Sequence, residues 1–141
     1  MAAKIIFTTD LDHFLNAFII AHSKSERVRK GCCTPTEFLD KVHGLHNEGK
    51  RDQCRYYLVS DDSATVAGYA ILNGELVAVH SLVKGLGDWL VRNAVADGAI
   101  YLDCFEGHLS ELYARHGFNI HFRVPNYVQG GPDIVGMYQP A

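Results

Sequence analysis

LVKGLGDWLVRNAVADGAIYLDCFEGHLSELYARHGF, residues 82–118, decides how the chain is read. Lys84-Gly85-Leu86-Gly87 sets two glycines ahead of an apolar helical pattern, Trp89, Leu90, Val91, Ala94 and Val95, which stops at Gly98. The pattern predicts a strand, a tight glycine turn and a helix. A turn of this kind leaves the first N–H groups of the helix without partners and lets a ligand approach the main chain, so a pyrophosphate can dock there. Taken alone, two glycines flanking one residue are most often a plain turn. A strand over 99–105 follows, then a short helix closing on Leu112-Tyr113-Ala114-Arg115-His116-Gly117-Phe118.

Working outward, 55–60, 65–72 and 75–82 are rich in Val, Tyr, Ile and Leu and read as strands. The first two flank the turn-forming Asp61-Asp62-Ser63, and Asn73-Gly74 is the favoured two-residue hairpin turn, so the three form a meander that feeds into the glycine turn. Thr34-Pro35-Thr36-Glu37 announces a helix: Thr as cap, Pro at the first helical position, Glu closing a capping box. That helix should run to Asn47 or Glu48 with Phe38, Leu39, Val42 and Leu45 inward, and end at Gly49. Residues 4–8 read as a strand, and Thr9 or Asp10 should cap a helix carrying Leu11, Phe14, Leu15 and Phe18 on one face. Between the two helices, 22–30 is the most basic stretch and reads as a solvated helix end and loop. Residues 119–124 and 133–138 read as the last strands, joined by a connection over 125–132 that is longer than a hairpin needs.

The bulk numbers bound the answer. A chain of 141 residues makes one domain, 1–141, with a single core. Hydrophobic content of 48% and charge of 21% exclude a disordered chain, and a net charge of −3 supplies no global basic field for nucleic acid or a membrane surface. The longest apolar runs fall short of the roughly 20 residues that cross a bilayer. The start of the chain does not read as a signal peptide, so the cytoplasm is the expected location. Cys32, Cys33, Cys54 and Cys104 contain no CxxC and are expected as free thiols.

The glycine turn, the following strand and the helix closing on Leu-Tyr-x-x-x-Gly-Phe together resemble the core of the GNAT family of N-acetyltransferases. The resemblance is specific across 82–118 and topological elsewhere. It implies an α/β (α+β) fold: a mixed, mostly antiparallel sheet flanked by helices in the order β-α-α-β-β-β-α-β-α-β-β, splayed between its fourth and fifth strands to admit a pantetheine arm. It implies acetyl-CoA as co-substrate and no metal. Backbone N–H groups around Val83, Lys84, Gly85, Leu86, Gly87 and Asp88 would cradle the phosphates, with Leu82 at the start of this cofactor-binding run and the Lys84 side chain adding positive charge. The N–H near Val79 would meet the thioester oxygen, and Tyr113 would stand beside the sulfur and protonate the departing thiolate. A base must also take a proton from the amine. The candidates are Glu75, alternating onto the face of Val77 and Val79, then His80, closer to the splay, and Asp103 as a weaker third.

The family pattern usually has Arg or Gln where Leu82 stands, and Asp88 puts a carboxylate where it would repel an incoming phosphate. These departures support a rival reading, a catalytically inactive GNAT-like module acting through a protein partner. A third reading is an acyl donor longer than acetyl. The expected partners are a CoA thioester and an amine acceptor, held between the 27–34 loop and the loop around Tyr127, in a monomer or homodimer. The basic stretch over 22–30 could then meet CoA phosphate or an acidic acceptor. The segment 112–118 is also similar to that of GNAT-like proteins carried by bacteriophages. His43 and His46 with Cys32 and Cys33 match no common zinc site, and Cys104 with His108 reads as a buried small residue beside a histidine rather than a nucleophile.

Overall fold

The β-branched and aromatic runs pair into one seven-stranded sheet in a computed structural model that describes residues 3–62, 64–126 and 128–140. Along the chain come β1 (Ala3–Thr8), α1 (Leu11–Lys24), α2 (Glu26–Gly31), α3 (Pro35–Asn47), a 3-10 turn (Arg51–Gln53), β2 (Cys54–Asp61), β3 (Ala64–Leu72), β4 (Glu75–Ser81), α4 (Gly87–Ala96), β5 (Tyr101–Phe105), α5 (His108–Ala114), β6 (Asn119–Val124) and β7 (Ile134–Tyr138). The strand order across the sheet is β1-β2-β3-β4-β5-β7-β6, and every pairing but β4 with β5 is antiparallel. This is the expected mixed sheet flanked by helices. Ser63 of the first turn and Tyr127 of the last loop lie outside the described residues.

Local chemistry sets the helix ends. The Asp10 carboxylate accepts from the His13 N–H, and Thr34 and Glu37 form the reciprocal capping box anticipated from their spacing. One helix was not anticipated. The basic stretch expected as a loop contains α2, which the Ser25 hydroxyl caps by accepting from the Val28 N–H, while the buried Val28 anchors it. A single apolar residue in six leaves no period to read, so only packing reveals this helix. Arg29 then donates to the carbonyls of His22 and Ser23, satisfying acceptors at the end of α1.

Two hydrophobic layers sandwich the sheet. Along β2, Tyr57 and Val59 face α4 and α5, while Tyr56 and Leu58 face α1 and α3, as a period of two requires. The first layer holds Leu90, Val91 and Ala94 against Tyr69, Ile71 and Leu102. The second is aromatic: Phe14 lies 5.3 Å from Phe38 and 5.5 Å from Tyr56, ring centre to ring centre.

Two features of β4 open the sheet. Its only partner position on β5 is Glu75 opposite Tyr101, so the strands meet at their starts and part beyond them. The register against β3 also slips between Gly68 and Ala70, and Ala78 sits at φ +55. This is a β-bulge: Val77 and Ala78 both face the α1–α3 layer, and Val79 turns to the other side. The expected placement of Glu75, Val77 and Val79 on one face therefore fails, because the extra residue resets the alternation. A non-glycine residue in the left-handed region costs ~1–2 kcal/mol, a strain that the flanking strand and helices must hold in place.

Candidate active site

The chain leaves β4 at Ser81 and turns through 82–86 into α4, with Gly85 at φ +87. The Leu82 N–H donates to the Val66 carbonyl at 2.8 Å, and the Val83 N–H to the Ser81 hydroxyl at 3.0 Å. Those two amides of the expected cradle are already engaged. No described residue accepts from the N–H groups of Lys84, Gly85, Leu86, Gly87 or Asp88, and no side chain caps α4. A Cβ placed at Gly85 would meet nothing within 4 Å, so the main chain there is open to approach. Five adjacent free donors at the positive end of a helix favour an anion.

Gly85, Leu86, Gly87 and Asp88 of this run rim a cavity of about 320 Å³, in the range of small-molecule sites, while Lys84 is not part of its lining. Arg27, Val28 and Cys32 wall one side, Val79, His80 and Ser81 form the β4 side, and Leu109, Leu112 and Tyr113 of α5 close the third. Arg27 is fixed by donation to the Ser81 carbonyl at 3.0 Å. A second, larger groove lies elsewhere, lined by Phe7, Asp10, His46, Arg51 and Tyr56, and contains none of the expected site residues.

Tyr113 is buried in this cavity, its ring edge-on to Phe118 at 6.0 Å. Burial, with the Cys32 and Cys104 thiols near it, pushes its hydroxyl well above the ordinary phenol range. The hydroxyl therefore holds its proton at neutral pH and stands as a hydrogen-bond donor to negative charge that develops in the cavity, although the same burial makes it a weaker acid than a free phenol. His80 is also buried, 3% exposed, and its Nδ1 lies 2.7 Å from the Ala78 carbonyl. A carbonyl only accepts, so Nδ1 carries the hydrogen and Nε2 the lone pair. Burial holds the ring at a pKa of about 4, neutral under ordinary conditions.

Asp88, read as a source of repulsion, is tied up. Its carboxylate takes Arg115 Nε at 3.1 Å and a second guanidinium nitrogen at 3.3 Å, and lies 2.7 Å from His116 Nε2. The hydrogen bonds from Arg115 and His116 hold it below the usual carboxylate range. The contact also ties the start of α4 to the end of α5.

The structure thus brings Val79, His80, Val83, Gly85, Leu86, Gly87, Asp88 and Tyr113 around one cavity. Glu75 is not among its lining residues: it sits where β4 and β5 meet and is paired to Lys41 at 2.7 Å. Three wall residues were not singled out from the sequence, although Arg27 and Cys32 lie in the 27–34 loop expected beside the acceptor. Cys32 donates its thiol to the Val79 carbonyl at 2.7 Å, and burial raises that thiol to about 12, so it acts as a hydrogen-bond donor and not as a nucleophile. Arg27 and Leu109 joined it only through folding. The bulge itself had one signal, the isolated Gly68 inside β3, where a Cβ would come within 2.7 Å of the Tyr57 carbonyl.

No protein-family model matches the chain, and no curated protein sequence does. Solved structures do share its fold. Spermidine N-acetyltransferase from Vibrio cholerae, in complex with CoA and spermine, matches with a TM-score of 0.65 at 13% identity, over 95% of this chain and 94% of that one. The ribosomal-protein-S5-alanine acetyltransferase from Vibrio fischeri matches with a TM-score of 0.61 at 11% identity, over 99% and 97%. An acetyltransferase from Bacillus subtilis in complex with CoA matches with a TM-score of 0.59 at 16% identity, over 99% of both chains. The chain thus shares the fold of these structures over nearly its whole length.

Proposed function

We propose that this protein transfers an acetyl group from acetyl-CoA to an amine by direct attack within a ternary complex. The observation that carries the reading is the run of five unengaged amides, 84–88, of which 85–88 lie at the rim of a cavity that also holds the buried Tyr113. The amides, with Lys84 and Arg27, would hold the pyrophosphate, and the gap beyond Glu75 would pass the pantetheine arm to Val79. The acceptor nitrogen attacks the thioester carbon, the C–S bond breaks, and Tyr113 protonates the sulfur as it leaves. His80 Nε2 takes the amine proton, directly or through water, and relays it rather than keeping it, since its ring is a weak base. Glu75 is left the role of holding Lys41.

The likeness to CoA-bound acetyltransferases supports CoA as the ligand. The non-catalytic rival loses part of its support, because the Asp88 charge is answered by Arg115 and His116. Calorimetric titration with acetyl-CoA and with CoA tests the reading: absence of binding by both overturns it. With binding in hand, Tyr113→Phe should lower the rate of thiol release across an amine panel by about tenfold or more while leaving the CoA dissociation constant unchanged. An unchanged rate removes Tyr113 from the role of acid.

A further inference from the structure

The helices do not cover the sheet evenly. α1 and α3 lie over β2 to β4, and beyond the splay no described helix packs on the same face of β5, β7 and β6. Tyr101, Asp103 and Phe105 alternate onto this face, since Leu102 and Cys104 point into the α4–α5 layer. The tyrosines of the opposed pair Tyr101 and Tyr138 stack at 5.4 Å with a 15° tilt, and the His121 ring packs against Tyr138 at 4.9 Å. Directly across from Asp103 stands Gly136. The Phe122 ring occupies the place its side chain would take, so that a Cβ at Gly136 would collide with the ring. Asp103 therefore has Tyr101 and Phe105 along its own strand and Phe122 across from it. The exposed carboxylate makes no ion pair or hydrogen bond to a described residue, whereas Glu75 on the same face pairs with Lys41. A negative charge at the centre of an aromatic frame complements a cation carried on an apolar body.

We infer that this bare face, next to the gap between β4 and β5, is where the acceptor lies, and that the acceptor is a primary ammonium joined by a short chain to an aromatic or similarly flat apolar group. The inference rests on the transferase reading for the reaction, but its recognition chemistry stands separately. The ammonium meets Asp103 and the faces of Tyr101 and Tyr138, and the apolar body lies along Phe105 and Phe122, 43% and 49% exposed in its absence. One free carboxylate suits a single positive charge. A long polycation needs several, and Glu75, at the near end of this face, is already matched by Lys41.

The test is equilibrium binding of 2-phenylethylamine to the CoA-saturated protein, beside 2-phenylethanol, butylamine and spermidine. 2-Phenylethylamine should bind best, the uncharged alcohol and the ringless amine each more weakly. Asp103→Asn should weaken 2-phenylethylamine about tenfold, a loss of about 1.4 kcal/mol, without altering CoA binding or the melting temperature. Phe122→Ala should weaken it while leaving butylamine unaffected. Tighter binding of spermidine, equal binding of amine and alcohol, or indifference to Asp103→Asn overturns the inference. A concentration-dependent dimer that excludes 2-phenylethylamine overturns it too, giving the face to a second copy of the chain. Failure to bind CoA would instead sink the transferase reading, and amine binding to the CoA-free protein would still report on the wall.

Discussion

Acidification should unfold this protein chiefly through one ring, and replacing His80 by Asn should remove that sensitivity. His80 is packed between Phe14 and Phe18, with ring centres 5.8 and 5.2 Å away, and its pKa is held at about 4 against an ordinary 6.5. Between those values the unfolded chain binds a proton that the folded chain refuses. The unfolded state therefore gains as pH falls, and stability rises with pH across the same window. Working the linkage through, the cost is about 2 kcal/mol near pH 5 and about 3 kcal/mol near pH 4, relative to neutral pH. Asn keeps an N–H that can reach the Ala78 carbonyl but carries no titrating group. Urea unfolding at a series of pH values, followed through the single tryptophan, Trp89, reads the difference directly. The variant should be less stable at neutral pH, having lost ring contacts, yet its stability should decline less steeply as pH falls toward about 4. Asp88 and Glu106, held low by Arg115 and Arg123, lose their pairing on further acidification in both proteins, so they cancel in the comparison. Parallel pH profiles for the two proteins would refute the argument, since the ring would then not be a buried neutral group.

Gly85→Ala should weaken CoA binding several-fold and cost ~1 kcal/mol of stability, because φ +87 disfavours any Cβ although no neighbour obstructs one; calorimetry and a melting curve check both halves. Asp88→Asn should free Arg115 toward the phosphates and tighten CoA, more so at low salt, with looser or salt-independent binding as the contrary result. Phe14→Ala should cost ~3–5 kcal/mol in urea unfolding, since that fully buried ring touches Phe18, Phe38 and Tyr56 at once.

Much of the fold was legible because its signals are local. Asn73-Gly74 takes positive φ at both residues, as a type I′ turn demands, and fixes β3 against β4. Thr34, Pro35 and Glu37 write the start of α3 within four residues. The amide-lined turn was legible for the same reason, as Gly85 and the apolar period after it needed no distant partner. The site around that turn was less so. Leu82 and Val83 read as cradle amides until Val66 and Ser81 claimed them, and both of those bonds depend on where β3 and the end of β4 come to lie.

The succession of elements and the bare start of α4 were thus written locally, since turns, caps and periods are short-range properties of neighbouring residues. Tertiary structure decided which faces those elements show. The bulge at Ala78 turned Val79 across the sheet, the parting of β4 from β5 opened the gap, and packing of α2 brought Cys32 to the Val79 carbonyl. Each depends on residues tens of positions apart sharing one surface, and no local pattern encodes that, because the energy that selects it is released only when the layers close.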